Sequence, residues 1–156
     1  LALPRSGRSQ IVRLAARLAG EVDAAEYGAP LAEGMVSHGR AVFVSDFLGD
    51  LAGVETALAR ASDRGVRGAL LQVLDPAEEE FPFDGRTIFE SMGGTLRHET
   101  QKAGELRDRY LARLAERKDR LATLSRAVGW HYSTHHTASP AQVPLLWLYQ
   151  ALERGR

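Results

Sequence analysis

The chain of 156 residues holds 44% apolar and 26% charged side chains, the balance of one globular domain with a real core, which argues against disorder. Twenty Lys and Arg against twenty Asp and Glu leave no net charge, so there is no long-range field to concentrate it on nucleic acid or on an anionic membrane. Cysteine is absent, which excludes disulfide frameworks and thiolate metal sites and agrees with a reducing, cytoplasmic setting, and no apolar run approaches the ~20 residues that span a bilayer.

Leu1-Ala2-Leu3 ahead of Pro4 reads as the tail of a strand that begins upstream, so the chain is expected to be a piece of a longer one. Ser9 is placed to cap a helix with the apolar stripe Ile11, Leu14, Ala15 and Leu18, ended by Gly20. Glu21 to Arg40, rich in Gly, Ala and acids, reads as a loop. Ala41-Val42-Phe43-Val44 is a continuous apolar run ending in Ser45-Asp46, the pattern of a parallel strand buried on both faces and central in its sheet. Asp50 caps a helix through Leu51, Val54, Leu58 and Ala61, stopped by Gly65, and Ala69 to Leu74 forms the next buried strand. A strand, helix and strand in this order make a parallel crossover of a doubly wound α/β fold.

Asp75-Pro76 ends that strand and opens an acidic stretch, after which Arg86 to Glu90 and Thr95 to His98 form a hairpin around Met92-Gly93-Gly94. From Thr100 to Val128 the residues Leu106, Tyr110, Leu114, Leu121, Leu124 and Val128 recur at helical spacing and predict a long amphipathic helix capped by Gly129. Trp130 to Ser133 has strand propensity, and Ser139-Pro140 starts a last helix through Leu145, Leu148 and Leu152, with Pro144 an awkward member of its early turns.

Asp46 and Asp75 both end strands at the side of the sheet where doubly wound folds bind ligands. Two carboxylates at one crevice suit a hard cation, although a divalent ion wants about six oxygens; the competing reading is that each aspartate caps the turn that follows it. His131 and His135 on one strand would stand ~13 Å apart and His135 and His136 would point to opposite faces, which argues against a shared metal. Arg109, Arg113, Arg117 and Arg120 make a basic helix stripe, read here as a solvated face with Glu105 paired to Arg109 and Glu116 to Arg120. The stretch Asp75 to Asp84 carries five acids and no base and holds Phe81-Pro82-Phe83, so Asp75, Glu78, Phe81 and Phe83 are candidate interaction residues, unless the phenylalanines pack inward. Phosphate-loop, dinucleotide-binding and nucleophile-elbow motifs are absent from the sequence.

Val42-Phe43-Val44-Ser45-Asp46-Phe47-Leu48, Val73-Leu74-Asp75-Pro76-Ala77-Glu78, Phe81-Pro82-Phe83, Leu106-Arg107-Asp108-Arg109-Tyr110 and Gly129-Trp130-His131 together resemble the bacterial family called domain of unknown function 58, from about Arg5 to Leu152. The resemblance implies that 1–156 is the C-terminal portion of a von Willebrand factor A-like domain that lacks its N-terminal strands. It also implies a non-enzymatic protein-interaction role beside a MoxR-type AAA+ ATPase, in the assembly or maturation of protein complexes. That fold builds an adhesion site for Mg²⁺ from an Asp-x-Ser-x-Ser turn, a Thr on a later loop and an Asp after the fourth strand. Only the last maps here, onto Asp46 preceded by Ser45. No threonine precedes Thr56, and Ser37 is the nearest hydroxyl in the relevant loop, so no metal is expected in this portion alone. The missing strand would leave the Val42 to Phe47 edge unpaired, to be covered by another copy or by an upstream segment. Two other functions compete. One is a metal-dependent hydrolase or phosphotransferase using Asp46, in which the second aspartate of a phosphatase motif is replaced by Leu48. The other is nucleic-acid binding by the arginine stripe, which the zero net charge disfavours.

Overall fold

The computed structural model describes residues 7–19, 30, 34–90 and 97–153. In chain order these form α1 (Arg8–Leu18), β1 (Arg40–Ser45), α2 (Ala52–Asp63), β2 (Arg67–Leu74), α3 (Pro76–Glu80), β3 (Thr87–Glu90), β4 (Arg97–Thr100), a 3-10 turn (Ala103–Leu106), α4 (Arg107–Ala127), β5 (His131–His136) and α5 (Gln142–Glu153). β1, β2 and β5 make an all-parallel sheet in the order β1-β2-β5, and β3 pairs with β4 as a separate antiparallel hairpin. The fold is therefore α/β, as the alternation of strand and helix patterns predicts.

β2 takes the middle because all but its first residue are buried or nearly so, and only a strand with neighbours on both edges and cover on both faces can bury that much apolar side chain. Side chains alternate along it. Leu70 shares a cluster with Phe43 of β1, with Val54, Ala57, Leu58 and Ala61 of α2, with Leu121 of α4 and with Trp130. Both crossover helices thus cover the same face, as right-handed connections require when strands are added in one direction. Ala69 and Leu71 point the other way and are also buried, on the side where α5 lies against β2. Trp130 locks the first face: its ring centroid is 5.0 Å from that of Phe43 and its Nε1 donates to the Val66 carbonyl at 2.9 Å. Gly68 is what lets the indole lie there, since a Cβ at this position would come within 2.2 Å of the Ala41 carbonyl oxygen and 2.8 Å of the Trp130 ring.

Several expectations need correction. Among the described residues β1 is an edge strand rather than the central one: nothing there pairs with its outer edge, and Val44 is 57% exposed on the face away from α2. A continuous apolar run reports burial potential, which neighbouring strands must realise. α1 begins at Arg8 with Gly7 rather than Ser9 at its N-cap, and leaves Ile11 and Leu14 exposed. Helical periodicity selects the face of a helix that wants cover without supplying the cover. α5 buries Pro144 and Ala151 while Leu145 is exposed, so its inward face is rotated from the expected leucine stripe. Pro144 is tolerated because the helix starts only at Gln142, where the missing N–H is spare. Gly20, most of the loop from Glu21 to Arg40, and the turn Met92 to Thr95 lie outside the described residues. Among those described, no helix is long and apolar enough to cross a membrane.

Candidate functional site

All three parallel strands end on the same side, and their ends carry Ser45-Asp46, Asp75 and His136-Thr137. After β1 the chain turns sharply. Phe47 adopts φ 51 and is buried, so a non-glycine residue is held left-handed by the packing of its ring. The turn is closed by its own polar groups: Asp46 Oδ1 accepts from Leu48 N at 3.0 Å and from Ser45 Oγ at 3.3 Å, while Ser45 Oγ accepts from Phe47 N at 3.1 Å. Arg117 reaches from α4 to donate to the carbonyls of Phe47 and Gly49. From the middle strand, fully buried Gln72 donates to the Asp46 carbonyl at 2.7 Å and accepts from Tyr132 Oη at 2.6 Å. One relay therefore joins β5, β2 and the turn after β1. Burial, with Glu79 and Asp119 adding negative charge, pushes the Tyr132 phenol up to about 12.

Asp75 is engaged through both oxygens. It is the N-cap of α3 in a capping box, accepting from Ala77 N at 2.9 Å while Glu78 accepts from its own N–H at 2.8 Å. Thr137 Oγ1 donates to its other oxygen at 3.0 Å, tying the end of β5 to the end of β2. Glu79 is paired with Lys118 of α4 and lies 2.9 Å from His136 Nδ1. Ser37 precedes β1, a strand's length of roughly 20 Å from Asp46, so its hydroxyl does not join this end. Among the described residues no group of three or more His, Cys, Asp or Glu is placed to hold a metal ion. Ser45 and Asp46 by themselves do not fit a divalent cation, because such an ion wants about six oxygens and Ser45 Oγ and Asp46 Oδ1 are already held by the turn.

Beside this end lies a cleft of 530 Å³ between α4 and the segment running from α3 into the hairpin. Its lining is apolar, with Phe81, Phe83, Phe89 and Tyr110 its main rings and Arg109 and Arg113 on its α4 side. Phe81 is the hub: its ring centroid is 5.2 Å from Phe83, 5.8 Å from Phe89 and 4.9 Å from Tyr110. It is 6% exposed and left-handed at φ 45, ending α3. Phe83 stays 37% exposed. Burial, reinforced by Glu78 and Glu79, raises the Tyr110 phenol above its ordinary value.

The arginine stripe divides in two. Arg117 serves the turn after β1, and Arg120 pairs with Glu55 of α2 at 2.6 Å rather than with Glu116. Glu105 takes Lys102 at 2.7 Å rather than Arg109. Arg109 and Arg113 are left with no ion pair or hydrogen bond among the described residues. A second groove of 910 Å³ shares Tyr110 and Arg113 with the first and runs past Leu48, Asp50, Glu55 and Arg120, with Glu55 and Arg120 paired across it and Arg117 bound to backbone carbonyls. The sequence names Phe81 and Phe83 but not Phe89, Tyr110 or the two arginines as their neighbours. The only sequence signal for the grouping is the four-residue spacing of Arg109 and Arg113 on the face next to Tyr110. Comparison of the chain with family models, with curated proteins and with solved structures finds no match.

Proposed function

We propose that this chain is part of a non-enzymatic protein-interaction module, von Willebrand factor A-like in build, whose working end is the side of the sheet carrying Ser45, Asp46 and Asp75. The partner is a MoxR-type AAA+ ATPase and the setting cytoplasmic, both on the strength of the resemblance to the domain of unknown function 58 family. What favours binding over catalysis is the engagement of the carboxylates at this end: Asp46 holds Leu48 N, Asp75 caps α3, and Glu79 is shared between Lys118 and His136. A nucleophile or general base needs a free lone pair aimed at a substrate, whereas Asp46 Oδ1, both oxygens of Asp75 and those of Glu79 hold loops in a fixed shape. A fixed shape is what a docking surface requires. Mg²⁺ enters this reading only where oxygen ligands beyond Ser45 and Asp46 join them. The outer edge of β1, which no described strand pairs, is a second contact in this proposal, covered by another copy of the chain or by an upstream segment.

The test is binding of the chain to a purified MoxR-type ATPase by interferometry. Wild type is expected to bind and Asp46→Asn to bind at least fivefold more weakly; equal affinity of the two removes this end of the sheet from the interface. The alternative, a metal-dependent hydrolase or phosphotransferase, rests on Asp46 lying at a strand's carboxyl end. Turnover of a generic phosphoester with Mg²⁺ that disappears in Asp46→Asn would replace the first reading with the second.

A further inference from the structure

We infer that the cleft between α4 and the hairpin is a docking site for an extended, acidic and aromatic segment of a partner protein, independent of the Asp46 end. Its volume of 530 Å³ lies in the range of genuine ligand pockets, and its surface is built chiefly of rings. The two walls differ. On one side stand Phe81, Phe83 and Phe89, packed edge to face and stacked at 5.2 to 5.8 Å, with Phe83 partly exposed at the mouth. On the other, α4 presents Arg109 and Arg113 one turn apart, a rise of ~6 Å.

Chain neutrality sharpens the point. On the hairpin and the turn before α4, Arg86 pairs with Glu99, Arg97 with Glu90 and Lys102 with Glu105. Among the described residues Arg109 and Arg113 have no such pair, although a stretch of acids precedes the cleft: Asp75 and Glu78 are committed to the capping box and Glu79 to Lys118 and His136. The first acids of the stretch are thus engaged around α3, and the two arginines in the lining keep their positive charge without an ion pair among the described residues. Guanidinium groups at the edge of an apolar site recognise carboxylates, and do so more strongly as the occupant excludes water.

An extended segment laid between the walls points alternate residues to each, and side chains two apart on one face are separated by ~6.7 Å. Carboxylates at alternate positions therefore meet Arg109 and Arg113 while the intervening apolar side chains meet the phenylalanines. Single-stranded nucleic acid, which also uses rings and arginines, fits less well. Its bases need open ring faces, whereas Phe81 is buried under its neighbours.

The experiment uses the full chain and fluorescein-labelled peptides followed by anisotropy. The pentapeptide Glu-Phe-Asp-Phe-Glu is expected to bind saturably, and Lys-Phe-Lys-Phe-Lys and Glu-Ser-Asp-Ser-Glu at least tenfold more weakly. Reversing both charges in Arg109→Glu/Arg113→Glu, at exposed helix positions, is expected to weaken the first peptide at least tenfold with an unchanged circular dichroism spectrum. Phe83→Ser should weaken it about fivefold. Equal binding of the lysine or serine peptide, unchanged affinity in the double arginine variant, no saturable binding, or tighter binding of a ten-residue oligothymidylate would each overturn the inference. Loss of ATPase binding in Asp46→Asn with this peptide affinity intact separates the fate of the cleft from that of the Asp46 end.

Discussion

The end of the sheet around Asp46 and the aromatic cleft beside it use the same residue types to opposite effect. At the sheet end the polar groups largely hold one another: Gln72 spans Tyr132 and the Asp46 carbonyl, Asp75 caps α3 and accepts from Thr137, and Arg117 closes the turn at Phe47. At the cleft the rings hold one another and two arginines hold nothing among the described residues. Each region keeps a buried phenylalanine in a left-handed conformation, at Phe47 and at Phe81. Such strain persists where packing over-determines it. Paired polar groups build a rigid frame, and unpaired charge beside apolar surface marks where a second molecule gains most.

The contrast is open to attack by substitution. Trp130→Ala removes the ring that seals the frame and its bond to Val66, and is expected to cost about 4 kcal/mol in urea unfolding. A cost under about 1 kcal/mol would show that α2, α4 and the sheet pack without it. Gln72→Leu keeps the volume but strands the Tyr132 hydroxyl and the Asp46 carbonyl, for an expected loss of about 2 kcal/mol. An unchanged midpoint would mean that the relay adds nothing.

The stripe on α4 gives the most direct comparison. Arg117→Ala should destabilise by about 1.5 kcal/mol, having lost bonds to two carbonyls, while Arg113→Ala should stay within about 0.5 kcal/mol of wild type. Equal effects would abolish the division between frame and cleft. The smallest effect is in pH. The folded chain holds the Tyr132 proton more tightly than the unfolded chain does, so the contribution is fully present below pH 10 and is lost as pH rises through about 12. Tyr132→Phe is expected to give up about 1 kcal/mol near neutrality and to decline less steeply between pH 10 and 12. Parallel decline of the two proteins in denaturation across that range would refute the assignment.

Much of the architecture was legible. The apolar runs at Ala41 to Val44 and Ala69 to Leu74, the helix signals from Asp50 to Gly65 and the long period from Leu106 to Val128 all correspond to observed elements. So does the placing of Asp46 and Asp75 at strand ends. Less of the candidate site could be read. Glu105 and Glu116 stood at helix spacing from Arg109 and Arg120, but nearer or better-aligned partners, Lys102 and Glu55, won the pairings. The capping reading of Asp75 matches its place at the N-cap of α3, but nothing local to the acids showed that Lys118 would take Glu79.

Sequence alone determined the alternation of strands and helices, because the period of apolar residues and the cap residues act within a few positions of one another. Only tertiary structure decided which strand is central, which arginines are free and which rings meet. Those outcomes depend on contacts tens of residues apart, such as Arg117 with Phe47 or Phe81 with Tyr110, where several partners are chemically suitable and geometry chooses among them.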